Sequence, residues 1–351
     1  MTHTFTASGL FGTHFSDAEI AALFTGDAFL RQMLEFEAAW TQTLMSLKAV
    51  DAKDGEAALE AIQAFEPDMA VLAESSETNG LPVPGLVAQL RDGLPETVAK
   101  AIHTGTTSQD VIDTAMVRTL LRTSEVLAAR LAALIADLGA LSEIATGTMM
   151  GRTRMQAALP IPVSARIQSW AGPLRDHLER LDSLRAQLGK VQLGGPVGLR
   201  DVPEGQGDAA AAELARRLGL RVGPVWHANR TPALDAGHWC VLVTGTLGKM
   251  GQDIALMAQQ GVDEIKLSGG GGSSAMPHKQ NPVRAETLVT LARFVAAQQG
   301  GLSQVMVHEQ ERSGAMWGLE WMLLPPIVEA TGAALNQASK LIAQIDHIGP
   351  V

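Results

Sequence analysis

Apolar residues recur every three or four positions through most of the chain, and strict alternation is nearly absent. Residues 108–146 carry Val111, Ala115, Leu120, Leu127, Leu131, Leu134, Leu138 and Leu141 in this rhythm. Residues 237–266 carry Val241, Leu247, Met250, Ile254 and Met257, and residues 283–307 carry Val283, Leu288, Leu291, Phe294 and Val295. A fourth helix is expected over 161–188. Runs of this length exceed the ordinary globular helix and predict an elongated bundle. Polar residues inside the apolar stripes point to burial against other subunits. Shorter helices are expected at 28–50, where Leu30, Leu34, Glu37 and Trp40 share a face, and at 56–65 and 83–91, with a turn-rich stretch from Asn79 to Gly85. The chain therefore reads as all-α: a small N-terminal helical domain over 1–100 and a central long-helix bundle over 101–351.

Hydrophobic residues make up 46% of the 351, enough for a sizeable core, and a charged fraction of 18% excludes a disordered or coiled-coil composition. A formal charge of −10 argues against nucleic acid and anionic membranes as partners. It leaves room for a small anionic substrate held by a local cluster of arginine and lysine. The single cysteine, Cys240, sits among apolar residues and reads as buried filler. The opening MTHTFTASGLFGTHF lacks the pattern of a signal peptide, and no run of apolar residues is long enough to span a bilayer. A cytoplasmic location is expected.

Four segments could carry chemistry. SGGGGSSAMPHKQNP, residues 268–282, lies between two long helices. Glycine alone would make it a linker, but the run leads into Ser273, Ser274, His278, Lys279 and Asn281, with Pro277 and Pro282 on either side of the lysine. A linker needs no such polar cluster, so an active-site lid fits better. HTGTTSQDVIDTAM, residues 103–116, places Thr107 and Ser108 before a helix with Asp110 in capping-box position. It can be read as an ordinary cap, or as an anion site made by hydroxyls and free N–H groups, with His103 in reach. In GRTRMQAALPIPV, residues 151–163, an extended backbone would point Arg152, Arg154 and Gln156 to one side, a row suited to a polycarboxylate. A solvated turn is the alternative. In HEQERSGAMWGLEWMLLP, residues 308–325, Trp317 and Trp321 lie on one helical face and read as core. Arg312 either pairs with Glu309 or faces an anion. VWHANR, residues 225–230, places His227 and Arg230 in a loop, and the histidine reads as structural.

No HExxH, GxSxG, strand-linked GxGxxG or GxxxxGK[ST] occurs, so neither a metal nor another cofactor is expected.

GSSAMPHKQNP, from Gly272 to Pro282, closely resembles the signature loop of the fumarase/aspartase superfamily, and HTGTTSQDVIDTA and GRTRMQAALP resemble its other two shared segments in the same order. The resemblance covers roughly residues 5–325. It implies a homotetramer built on a shared helical core, with active sites formed by three subunits. It also implies a serine acid–base at Ser273 and a Lys279 that stabilises the anionic intermediate. Asn281, Thr107, Ser108, His103, Arg152, Arg154, Gln156, Ser274, Met276 and Arg312 become candidate binders of a small polycarboxylate. ERSGAMWGLEW, from Glu311 to Trp321, resembles the branch that lactonizes 3-carboxy-cis,cis-muconate. Many lyases of the superfamily have histidine where this chain has Arg154. Intramolecular attack by a carboxylate needs no such proton donor at the leaving group, so the same branch is implied. The chain is shorter than most relatives, and much of their C-terminal helical domain is expected to be missing. A fumarate-releasing lyase such as adenylosuccinate lyase, and a non-catalytic helical scaffold, are the alternatives.

Overall fold

In the N-terminal region most helices start on a side-chain oxygen. The computed structural model describes residues 10–269, 271, 272, 276 and 279–350. After a short α1 (Gly12–Phe15), Asp17 caps α2 (Ala18–Leu23) and Thr25 caps α3 (Gly26–Ser46). Asp51 caps α4 (Ala52–Gln63) and Asp68 caps α5 (Met69–Asn79), which Gly80 ends in a left-handed conformation. Helices α6 (Val83–Arg91) and α7 (Glu96–Ala99) follow. The sequence reading did not anticipate α5. It buries only Leu72 and Ser75, so its cap and stop define it rather than an apolar stripe.

The bundle begins with α8 (Ser108–Ile144), whose Leu127, Leu131, Leu134 and Leu138 are buried at the expected spacing. A hairpin of β1 (Thr148–Thr153) and β2 (Gln156–Pro162) leads into α9 (Val163–Leu188), which Pro162 starts. After α10 (Gly207–Leu218) come α11 (Thr231–Met257), β3 (Ile265–Leu267), β4 (Gly271–Gly272) and β5 (Gln280–Asn281). Then α12 (Val283–Leu302) and α13 (Gly314–Ile342) complete the bundle, and β6 (Ile345–Ile348) pairs antiparallel with β3. Helix α11 starts earlier than periodicity predicts because Pro232 initiates it, and it ends before a turn at Gly261. Strands β4 and β5 bridge the two ends of the Gly-rich segment, with Gly271 opposite Asn281.

Helices α11 and α12 pack at close range through small residues. A Cβ added at Gly248 would lie 2.6 Å from the Cβ of Ala292, and one at Gly251 would lie 2.5 Å from the carbonyl oxygen of Ala285. One apolar core fills the bundle, including Trp170 and Leu174 of α9, Leu247 and Ile254 of α11, Leu288 of α12 and Leu335 of α13. A second joins Phe36, Trp40 and Leu44 of α3 to Leu86 of α6, Val111 of α8 and Leu214 of α10.

This topology gives the bundle two ends at which the candidate residues lie. The starts of α8, α11 and α13 meet at one end, where Arg230 donates to both Asp113 and Glu320. The hairpin, the end of α11, the start of α12 and the end of α13 gather at the other, linked by Arg152 to Glu264 and Arg284 to Gln337. At 1.5 Å rise per residue the 37 residues of α8 separate the ends by about 55 Å.

Candidate active site in two halves

The first half is built on the N-terminus of α8. Asp110 accepts the Thr107 N–H at 3.0 Å, completing the capping box, and is fully buried. The same carboxylate accepts the Gly194 and Gly195 N–H groups at 2.8 and 3.0 Å and lies 2.8 Å from His227 Nε2. One turn on, Asp113 accepts bonds from Arg230, from the Trp317 indole at 2.9 Å, and from the Gln109 and Gln192 amides. Arg230 is 1% exposed, packs over the Trp226 ring and forks to Asp113 at 2.7 and 3.0 Å and to Glu320 at 2.8 and 2.6 Å. Burial opposes its charge, but the two carboxylates overcome that and push its pKa above the ordinary arginine value. Asp110, Asp113, His227 and Arg230 are therefore structural, as the sequence reading held for His227. They anchor the helix start rather than face a ligand.

Three candidate residues meet on this platform, and a fourth, His103, lies just before it in the chain. Thr107 caps α8, Ser108 opens it, and Arg312, just before α13, donates to Thr107 Oγ1. Arg312 thus pairs with Thr107, not with Glu309. His103 lies four residues before Thr107, with its Nδ1 2.7 Å from Glu37. A hydroxyl, a guanidinium and the free N–H groups of a long helix converge here, an arrangement that suits an oxyanion. Nearby, burial and the Arg230 charge lower the pKa of His308, and among the described residues neither of its buried ring nitrogens has a hydrogen-bond partner. Trp317 does more than fill the core, because its indole N–H serves Asp113.

The second half lies at the other end. The sequence reading put Arg152, Arg154 and Gln156 in one row. Instead the chain reverses at Arg154 and Met155, both in the left-handed region with φ of 50° and 66°, so Thr153 pairs with Gln156 and Arg152 with Ala157. Arg152 bonds Glu264 at 2.5 Å, while Arg154 stands at the hairpin tip and Gln156 is exposed on the returning strand. A left-handed pair without glycine is unfavourable backbone, and here it carries an arginine to the rim of a cleft. That cleft, of about 590 Å³, is lined by Arg152, Arg154, Arg166 and Lys249, with Asp253 and Glu264. Asp253 is taken by the Trp170 indole and by Lys249, and Glu264 by Arg152.

A smaller cavity of about 210 Å³ lies beside the end of the Gly-rich segment, lined in part by His14, Asn281, Arg284 and Gln344. Lys279 is exposed, and its backbone N–H donates to Met276 O at 3.0 Å. Ser273 and Ser274 lie outside the described residues, as does His278. The sequence offered no signal for Gln192, Gly194 and Gly195, which reach Asp110 and Asp113 from a distant loop. Among the described residues no group of His, Cys, Asp or Glu is arranged to hold a metal ion, and no helix is long and apolar enough to cross a membrane.

A family model described as Lyase matches residues 1–297. The chain is 32% identical over 343 residues to 3-carboxy-cis,cis-muconate cycloisomerase of Acinetobacter baylyi, covering 94% of this chain and 75% of that protein. It is 31% identical over 351 residues to nitrosuccinate lyase of Streptomyces davaonensis, covering 95% of this chain and 74% of that one. The crystal structure of 3-carboxy-cis,cis-muconate lactonizing enzyme from Pseudomonas putida superposes with a TM-score of 0.90 at 32% identity, over 97% of this chain and 78% of that chain. The helical fold, the three signature segments and these matches together place the chain in the fumarase/aspartase superfamily of lyases.

Proposed function

We propose that this enzyme converts 3-carboxy-cis,cis-muconate, or a closely related 3-substituted muconate, to its muconolactone. One substrate carboxylate adds to the conjugated double bond. A carbon–oxygen bond forms, the π pair moves to the neighbouring carbon, and that carbon takes a proton. The intermediate carries its charge on the oxygens of an adjacent carboxylate. In this reading Lys279 and Asn281 stabilise those oxygens, and Ser273 delivers the proton and recovers one from solvent. A well-placed donor of this kind contributes about 3 kcal/mol to transition-state stabilisation. Serine is a weak acid–base, so its use requires the positive field that Lys279 would bring near it.

The observation that carries the reading is the pair of cationic half-sites: Thr107 and Arg312 at one end, and Arg152, Arg154, Arg166 and Lys249 at the other. A tricarboxylate engages several such groups, where a monocarboxylate would need one. Arg154 at the hairpin tip adds support, because carboxylate attack leaves no amine or alkoxide to protonate. The half-sites lie at opposite ends of each chain, so a complete site needs antiparallel copies, and we include a homotetramer with shared sites in the proposal. The test is incubation of the purified enzyme with 3-carboxy-cis,cis-muconate, followed by ultraviolet absorbance. Loss of the conjugated diene with lactone as product supports the reading.

A second reading, elimination to release fumarate, draws support from the 31% identity to a nitrosuccinate lyase, beside 32% to the cycloisomerase. Fumarate appearing from adenylosuccinate, with the muconate untouched, would select it.

A further inference from the structure

The face of α3 that turns to the start of α8 carries Glu37, Trp40 and Thr41, spaced as one helical stripe. Trp40 donates to the carbonyl of Thr104 at 2.9 Å and Thr41 to that of Ala101 at 2.8 Å. Glu37 differs from both: it touches no carbonyl, and its Oε1 lies 2.7 Å from His103 Nδ1. It is 0% exposed, and among the described residues its buried Oε2 has no hydrogen-bond partner. A buried carboxylate with only one oxygen bonded is a poor structural element, since burial penalises its charge and the unmet oxygen adds to the cost. His103 itself takes a left-handed backbone, φ 57°, which histidine seldom adopts. Its ring is 15% exposed, and among the described residues its Nε2 has no hydrogen-bond partner.

We infer that Glu37 is a positioning residue that aims His103 at the substrate. By accepting the Nδ1–H, the carboxylate fixes the ring and leaves its Nε2 edge available for a substrate carboxylate bound at the start of α8, where Thr107 and Arg312 meet. With both nitrogens protonated, the ring donates one N–H to Glu37 and the other to a carboxylate of the substrate. The buried negative charge on one side then balances the imidazolium that grips a negative charge on the other. The inference rests on reading the α8 end as half of a polycarboxylate site.

Two experiments test it. In ¹⁵N-labelled wild-type protein, titration with tricarballylate, a saturated tricarboxylate, is expected to shift the His103 Nε2 resonance while Nδ1 stays bonded. Glu37→Gln, which keeps the shape and loses the charge, is expected to abolish that shift. It should raise KM for the muconate about tenfold and leave kcat within about twofold. A wild-type Nε2 resonance indifferent to tricarballylate overturns the inference, even where the variant fails to fold. So does a Glu37→Gln enzyme with lower Tm but wild-type KM, the pattern of a purely structural pair. A wild-type enzyme that binds tricarballylate through His103 but does not turn over muconate instead refutes the proposed reaction and leaves the role of Glu37 standing.

Discussion

At the residue scale, buried charges have been placed to hold a helix start still. Arg230 is enclosed by Asp113, Glu320 and Trp226, and every heteroatom of Asp113 is used. Removing Asp113 would leave buried donors of Arg230, Trp317, Gln109 and Gln192 without their acceptor, so Asp113→Ala is expected to cost about 3–5 kcal/mol, measured by urea unfolding. Lys279 is exposed, so Lys279→Met should leave folding and assembly unchanged while kcat/KM falls by at least about 10². Near-wild-type turnover in that variant removes Lys279 from the mechanism. His177 has a different part. Burial and Arg180 lower its pKa from the usual 6.5, and His14 and His308 shift the same way, burial again the main cause. For these groups the unfolded chain takes up protons that the folded chain resists. Stability is therefore complete above about pH 6.5 and declines as pH falls below it. A urea midpoint lower at about pH 5.5 than at about pH 7.5, with the difference reduced in His177→Gln, is the expected result.

At the element scale, close packing of α11 on α12 depends on glycines whose neighbours leave no room. Gly251→Ala would bring a methyl against the backbone of Ala285, so the helices must part, at a cost of about 1–3 kcal/mol read as a lower Tm. The long helices were legible in the sequence because Leu127, Leu131, Leu134 and Leu138 repeat at helical spacing over many turns. Helices α5 and α10 were not. The first lacks an apolar stripe, and the second is an alanine-rich segment whose buried face, Ala210, Ala211 and Leu214, is completed only by packing on α3. The hairpin was half legible: its extended character was read, but its turn uses Arg154 and Met155 in conformations that sequence rules reserve for glycine or asparagine. The Thr107 cap was visible from spacing alone. The partners of Asp110 and Asp113 were not, because Gly194, Gln192 and Arg230 come from segments about 80 to 120 residues away.

At the scale of the whole molecule, one long helix decides how a site can be assembled. Thr107 and Arg154 flank α8 at opposite ends, so no single copy brings them to one ligand. If copies pack antiparallel, a variant damaged at one end and a variant damaged at the other should rescue each other. Ser108→Ala and Lys279→Met proteins, each inactive alone, are expected to regain partial activity after joint unfolding and refolding, because some mixed sites contain neither lesion. No recovery, with mixed oligomers verified by mass spectrometry, would return each site to a single chain. The decisive observation is simpler. Wild-type enzyme and Lys279→Met should be given 3-carboxy-cis,cis-muconate and followed in the ultraviolet, with the product identified by NMR. The proposal predicts rapid loss of the diene to a muconolactone in the wild type and almost none in the variant; an inert muconate, alongside fumarate released from adenylosuccinate, would contradict it.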